Sequence, residues 1–147
     1  MTMLLRPFSP SDEGPVIALW RRCDLVRPWN DPREDIQRKL RVAPELFLVG
    51  VWNEEIVATV MAGYEGHRGW INYLAVTPEL RFQGWGSLLV LEVERLLKQR
   101  GCPKVNLQVR AGNTGAIAFY SRLGYSVDTV VSLGKRLEFD DRGFDSA

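Results

Sequence analysis

The run Arg81-Phe82-Gln83-Gly84-Trp85-Gly86-Ser87 is the part of the chain best suited to hold a ligand. Its two closely spaced glycines let the backbone turn tightly and bring its amides near a bound group. Because the run opens a helical pattern, those amides lie where helix N-termini attract anions. Arg81 adds a positive charge, and phosphate is the group this combination suits. No Gly-Lys-Ser/Thr follows, so it is not a P-loop, and Leu89 stands where a dinucleotide-binding Gly-x-Gly-x-x-Gly needs its last glycine. The same glycines would also serve an ordinary turn into a helix. The second chemical candidate is Tyr120, because a phenol of pKa about 10 is protonated at neutral pH and can donate to a leaving group of similar basicity. Ala116, Tyr120 and Leu123 share one helical face, so a core role fits that spacing too.

Composition narrows the chemistry further. One histidine, His67, rules out a two-histidine metal site within the chain, and Cys23 and Cys102 stand far apart with no C-x-x-C, so neither zinc nor a disulfide framework is expected. Lys and Arg number 19 against 18 Asp and Glu, a net charge of +1, which predicts neither a nucleic-acid nor an anionic-membrane partner. No window approaches the roughly 18 apolar residues of a membrane span. The N-terminus lacks a basic segment followed by a long apolar run, so a cytoplasmic location is expected. The 147 residues, 46% of them apolar, suit one domain with its own core, read here as 1–141 with a loose tail from 142 to 147. Asp140 already looks loose.

The elements that must position these residues follow from periodicity. Leu4 to Phe8 reads as a strand. Ser9 or Ser11 can cap a helix carrying Val16, Leu19 and Trp20, and Asp31 a second helix from Pro32 to about Val42. Leu46–Trp52, Ile56–Tyr64 and Trp70–Val76 form a three-strand meander with short turns. Trp85, Leu88, Leu89, Val93, Leu96 and Leu97 make one helical stripe, ended by Gly101 and Pro103, with Glu94 and Lys98 paired on the wet side. Residues 104–110 alternate as a strand, Asn113 caps a helix through Leu123, and Tyr125–Val131 and Gly134–Phe139 read as final strands. The strand at 70–76, its helix and the strand at 104–110 make a crossover with a parallel pair, and ligands favour the carboxyl end of such strands.

Arg-x-x-Gly-x-Gly following Leu74-Ala75-Val76-Thr77-Pro78 resembles motif A of the GNAT-superfamily N-acetyltransferases. Asn113-Thr-Gly-Ala-Ile-Ala-Phe-Tyr120-Ser-Arg-Leu-Gly-Tyr125 is similar to that family's Asn-x-x-Ala-x-x-x-Tyr-x-x-x-Gly-Phe signature. Both motifs sit at matching separations, and the element order fits nearly the whole chain, most like the YpeA-type bacterial acetyltransferases. The resemblance implies an α/β (α+β) fold: a mostly antiparallel mixed sheet of about seven strands, flanked by about four helices, with one parallel β-α-β crossover.

It also implies acetyl-CoA as co-substrate, without metal. Leu74, Ala75 and Val76 would offer backbone groups to the pantetheine arm, one N–H bonding the thioester carbonyl and stabilising its growing oxyanion. Phe82, Gln83, Gly84, Trp85, Gly86 and Ser87 would cradle the pyrophosphate beside Arg81. Asn113 would contact the cofactor arm, cap its helix, or both. Tyr120 would protonate the leaving thiolate. The acetyl group would pass directly, through a ternary complex, to an amine of a small molecule, peptide or protein. Where ribosomal-protein-acetylating relatives carry a glutamate, this chain has Gln108, which cannot take the amine's proton. Glu65, His67 or water are then the candidate bases. Trp29 and Trp52 could line an acceptor groove or simply pack, and Asp31, Glu34 and Asp35 could attract a cationic amine or complement a helix dipole. The other reading is a non-catalytic acetyl-CoA sensor or partner-binding module, and an exposed final strand would let two copies pair as a homodimer.

Overall fold

Residues 2–140 are described by the computed structural model. Five strands make one sheet in chain order: β1 (Leu4–Pro7), β2 (Phe47–Trp52), β3 (Glu55–Tyr64), β4 (Gly69–Val76) and β5 (Val105–Leu107). Neighbours are antiparallel except β4 and β5, which run parallel, as the crossover reading expects. The helices are α1 (Glu13–Arg22), α2 (Pro32–Leu40), α3 (Trp85–Gln99) between β4 and β5, and α4 (Thr114–Arg122). None among the described residues is long and apolar enough to cross a membrane.

The apolar pattern explains the layering. Along β2, Phe47 and Val49 pack with Val16, Leu19, Trp20 and Ile36 of α1 and α2, while Leu48 packs with the α3 layer. Both faces are covered, so β2 reads as a continuous apolar run rather than an alternating one. On α3 the buried residues are Trp85, Leu89, Val90, Val93 and Leu97. Burying each aliphatic side chain contributes about 1.5–3 kcal/mol, which fixes the helix against the sheet. Leu88 is half exposed, so the buried stripe is rotated from the one its spacing suggests. Glu94 accepts from the Tyr125 hydroxyl at 2.6 Å and does not pair with Lys98, tying the end of α4 to α3.

The expected seven strands are five among the described residues. Residues 125–131 and 134–139 form no backbone ladder, and β5 stops at Leu107 rather than 110. The following chain runs beside β5 through side chains instead: Lys104 and Asn106 bond Asp128, and Gln108 bonds Ser132. Val127, Val130, Val131, Leu133 and Leu137 are all exposed. With no layer covering them among the described residues, their β propensity has no half-buried surface to act on. Asp140 is not loose. Its carboxylate, 3% exposed, binds Arg38 at 2.7 Å and the Asp31 amide at 3.0 Å. The tail from 142 to 147 lies outside the described residues.

One irregularity in the sheet shapes the end of β4. Met61 pairs with Asn72 but Thr59 with Ala75, so β4 carries one residue more than β3 across that interval. Tyr73 absorbs the extra residue with φ at +51°. Such a bulge bends the strand and changes which face its side chains take. Accordingly Ile71 packs in the α3 layer, but Tyr73 packs in the α1 layer. The β4–β5 ladder ends at Ile71–Leu107, leaving Asn72 to Val76 with no strand partner on that side among the described residues.

Candidate active site

The free end of β4 and the start of α3 meet directly. Gly84, at φ +84°, turns the chain into α3 in a conformation that favours glycine, and it has no side chain to cap the helix. By contrast, Asp31 caps α2 through the Arg33 amide at 2.9 Å, and Asn113 caps α4 through the Ala116 amide at 3.1 Å. The first α3 amide bond is donated by Leu88 to Gly84, so the amides of Trp85, Gly86 and Ser87 remain unpartnered among the described residues. A Cβ at Gly86 would lie 3.2 Å from Phe119 Cζ and 3.8 Å from Val76 Cγ2, so β4, α3 and α4 converge there.

The residues expected to form the cradle divide into backbone and side-chain contributors. Trp85 buries its indole at 5% exposure and tilts against Trp52, with ring centroids 5.9 Å apart. It can therefore offer only its amide, and Trp52 is occupied in packing. Phe82 is fully exposed at φ +65°, and Gln83 is exposed beside it. Arg81 donates through Nε to the Val76 carbonyl at 3.2 Å, and Cys23 Sγ donates to the same oxygen at 3.4 Å. Leu74 and Val76 pack toward α3 and Ala75 toward α1; none has a strand partner on the β5 side among the described residues, and the Val76 carbonyl is taken by Arg81 and Cys23. Asn113 spends its Oδ1 on the cap, leaving the amide nitrogen of its side chain for another contact.

Tyr120 sits between Phe119 and Tyr125, edge-on to both at centroid distances of 5.0 and 5.6 Å. Burial pushes its phenol up to about 12, because the charged form loses its water. Its hydroxyl has no hydrogen-bond partner among the described residues, unlike that of Tyr125, which is spent on Glu94. Tyr120 lines a groove of about 1010 Å³ with Leu107, Gln108 and Ile117. A protonated, uncommitted phenol in a groove has the chemistry to donate a proton.

The candidate bases are not gathered there. Glu65 accepts from the His67 and Arg68 amides and fastens the β3–β4 turn, and those amides, Arg68's foremost, hold its carboxyl below the usual range. That turn precedes Gly69, at the far end of β4 from Val76, roughly 20 Å along the strand. Gln108 lines the groove with Tyr120 but donates to Ser132. Arg110 lies over the exposed Trp29 ring at 5.3 Å and bridges the loop after β5 to the α1–α2 loop. Asp35 accepts from the Tyr73 hydroxyl at 2.6 Å and from Arg38 at 3.2 Å. Periodicity gave no warning of this inner network. Its one sequence signal is Thr59, a lone polar residue in the run Ile56–Ala62.

The sequence and fold have informative relatives. The model of the acetyltransferase (GNAT) family matches residues 15–125. Acetyltransferases of Yersinia enterocolitica and Pectobacterium atrosepticum are each 49% identical, covering 94% and 97% of this chain and 98% and 100% of theirs. Among solved structures, Ard1 of Thermoplasma volcanium is similar at a TM-score of 0.73 and 25% identity, over 87% of this chain and 85% of that one. The ribosomal-protein-S18-alanine N-acetyltransferase of Escherichia coli has the same fold at a TM-score of 0.73 and 21% identity, over 87% and 80%.

Proposed function

Because the chain belongs to the acetyltransferase (GNAT) family, whose members use acetyl-CoA as co-substrate, we propose that its acetyl-CoA site is the uncapped start of α3 together with the unladdered half of β4. The observation that carries this reading is the junction at Gly86. There, three unpartnered amides, an unladdered strand edge and the Tyr120 helix meet, with room at Gly86 only because it lacks a side chain against Phe119.

Each part of the chain has a task at that junction. The amides of Trp85, Gly86 and Ser87, at the positive end of α3, bind pyrophosphate oxygens. Arg81 stands at the same mouth, within reach of Val76, and adds charge. The free edge of Leu74, Ala75 and Val76 holds the extended pantetheine arm as a neighbouring strand would be held, with one amide donating to the acyl oxygen as negative charge grows there. Bound acetyl-CoA supplies an activated acyl group. Tyr120 donates its proton to sulfur as the C–S bond breaks and the N–C bond forms. The proton lost by the amine returns to the phenolate through water, so the enzyme ends unchanged.

The acceptor approaches from the Trp29–Arg110 side in a direct transfer. The two carboxylates that line the groove with Gln108 are already engaged, Glu94 by the Tyr125 hydroxyl and Asp128 by Lys104 and Asn106, so the amine must arrive neutral. An α-amine near pKa 8 is neutral in about one molecule in ten at pH 7, against roughly one in 2,500 for a lysine side chain. This favours α-amines or other weakly basic amines over lysine. The unspent Tyr120 hydroxyl favours turnover over a purely sensing role. The test is thiol release from acetyl-CoA across a panel of amino acids, peptides with free N-termini and lysine peptides blocked at the α-amine. Faster release with α-amines supports the reading, whereas release only with lysine side chains contradicts it.

A further inference from the structure

The bulge that frees the edge of β4 is braced from the opposite face of the sheet. Thr59 of β3 is fully buried, and its Oγ1 lies 2.9 Å from the Tyr73 carbonyl oxygen and 2.9 Å from Trp20 Nε1. An indole N–H can only donate. The Thr59 oxygen therefore accepts from Trp20, and its single proton goes to the Tyr73 carbonyl. The polarity of the chain Trp20→Thr59→Tyr73 is fixed, and every member is satisfied. The Trp20 ring also stacks on the Tyr73 ring, with centroids 3.8 Å apart, and Asp35 holds the Tyr73 hydroxyl.

This bracing meets a specific need. The extra residue leaves Tyr73 without a partner in the β3–β4 register, and a part-buried carbonyl left without a donor is costly. Tyr73 also holds a positive φ, which a bulky residue keeps only where its surroundings enforce it. The peptide unit that carries this carbonyl also carries the Leu74 amide, the first on the edge proposed to hold the acetyl-CoA arm. Because that unit is planar, orienting its C=O orients its N–H. We propose that Thr59, supported by Trp20, is a positioning residue that aims the Leu74 amide at the reacting acyl oxygen. The inference rests on the acetyl-CoA site proposed above.

The test separates aiming from folding. Thr59→Val keeps the shape but removes the hydroxyl, Thr59→Ser restores it, and Trp20→Phe removes only the outer donor. Each variant is compared by thermal melting, by calorimetric Kd for CoA without its acetyl group, and by kcat per folded molecule. Thr59→Val is expected to lose about tenfold in kcat, the scale of a slightly misaimed donor, with the CoA Kd within about twofold of wild type. Thr59→Ser should recover to within about twofold in kcat, and Trp20→Phe should lose less than Thr59→Val. If Thr59→Val does not fold, the Ser and Phe variants still decide: a Thr59→Ser kcat as low as an active-site knockout, or a Trp20→Phe loss confined to melting temperature, overturns the proposal. An unchanged kcat in folded Thr59→Val overturns it, as does a parallel loss of kcat and CoA affinity. A wild-type protein that turns over acetyl-CoA while Thr59→Val keeps its rate removes this inference alone. A wild type that binds no CoA removes the underlying site as well.

Discussion

Phe119 of α4 closes over Gly86 of α3, so that a Cβ on Gly86 would sit 3.2 Å from Phe119 Cζ. This contact fixes the distance between the helix start proposed to hold pyrophosphate and the next residue along α4, Tyr120. Gly86→Ala is expected to push α4 outward and lower kcat severalfold. Phe119→Leu in that background should recover part of the rate. A double-mutant cycle in kcat reads the coupling, and strictly additive effects would refute it.

Tyr120→Phe should reduce kcat by about a hundredfold, the usual scale for losing a positioned proton donor, with acetyl-CoA affinity unchanged. Stopped thiol-release kinetics beside calorimetric binding make the comparison. A large affinity loss at constant kcat would contradict the assigned role.

The pH profile follows from the same residue. Burial raises the phenol to about 12, so the donor stays protonated through pH 10. No falling limb in kcat is expected between pH 8 and 10. For stability the sign is the same: a raised folded pKa contributes below the unfolded value of about 10, and the contribution is lost as pH rises toward 12. A kcat decline centred near pH 9, abolished in Tyr120→Phe, would show that the phenol is not elevated.

Gln108→Glu places a carboxylate in the groove that Tyr120 lines. With an α-amine acceptor, the rising limb of the wild-type profile should track the amine's own pKa, about 8. In the variant that limb should move to lower pH. An unmoved limb would mean that position 108 does not face the acceptor nitrogen.

Acid stability reports on a different contact. Arg38 is the main cause that holds Asp140 at about 2, with the Asp31 amide assisting. A depressed carboxylate stabilises the fold above its unfolded pKa of about 3.9, and that contribution is lost as pH falls toward 2. Asp140→Asn should cost about 1 kcal/mol at pH 7, allowing for solvent screening of the partly exposed Arg38, and should flatten the acid limb of melting temperature. An identical acid limb would place the stabilisation elsewhere.

Much of this site was legible from residue types. Gly84 and Gly86 marked a turn into a helix, and both are required there, one by its positive φ and the other by Phe119. The meander and the parallel pair followed from the change of period at Leu46 and Gly84. The final strands are not there to be read locally, because β propensity cannot register that Val127 and Leu133 stay exposed among the described residues. Trp85 shows the limit at single-residue scale, since the motif puts it in the cradle but its indole belongs to the core. The bulge at Tyr73 was invisible because register depends on both strands, and only the isolated Thr59 hinted at a polar task inside β3.

The most direct measurement is calorimetric titration of acetyl-CoA and CoA into wild type and Gly86→Asp. An aspartate there would crowd Phe119 and set a negative charge among the amides proposed for pyrophosphate. Wild type is expected to bind both ligands, and a folded Gly86→Asp to lose both by more than about tenfold. Equal affinity in the variant, or no binding by wild type, would contradict the proposed acetyl-CoA site.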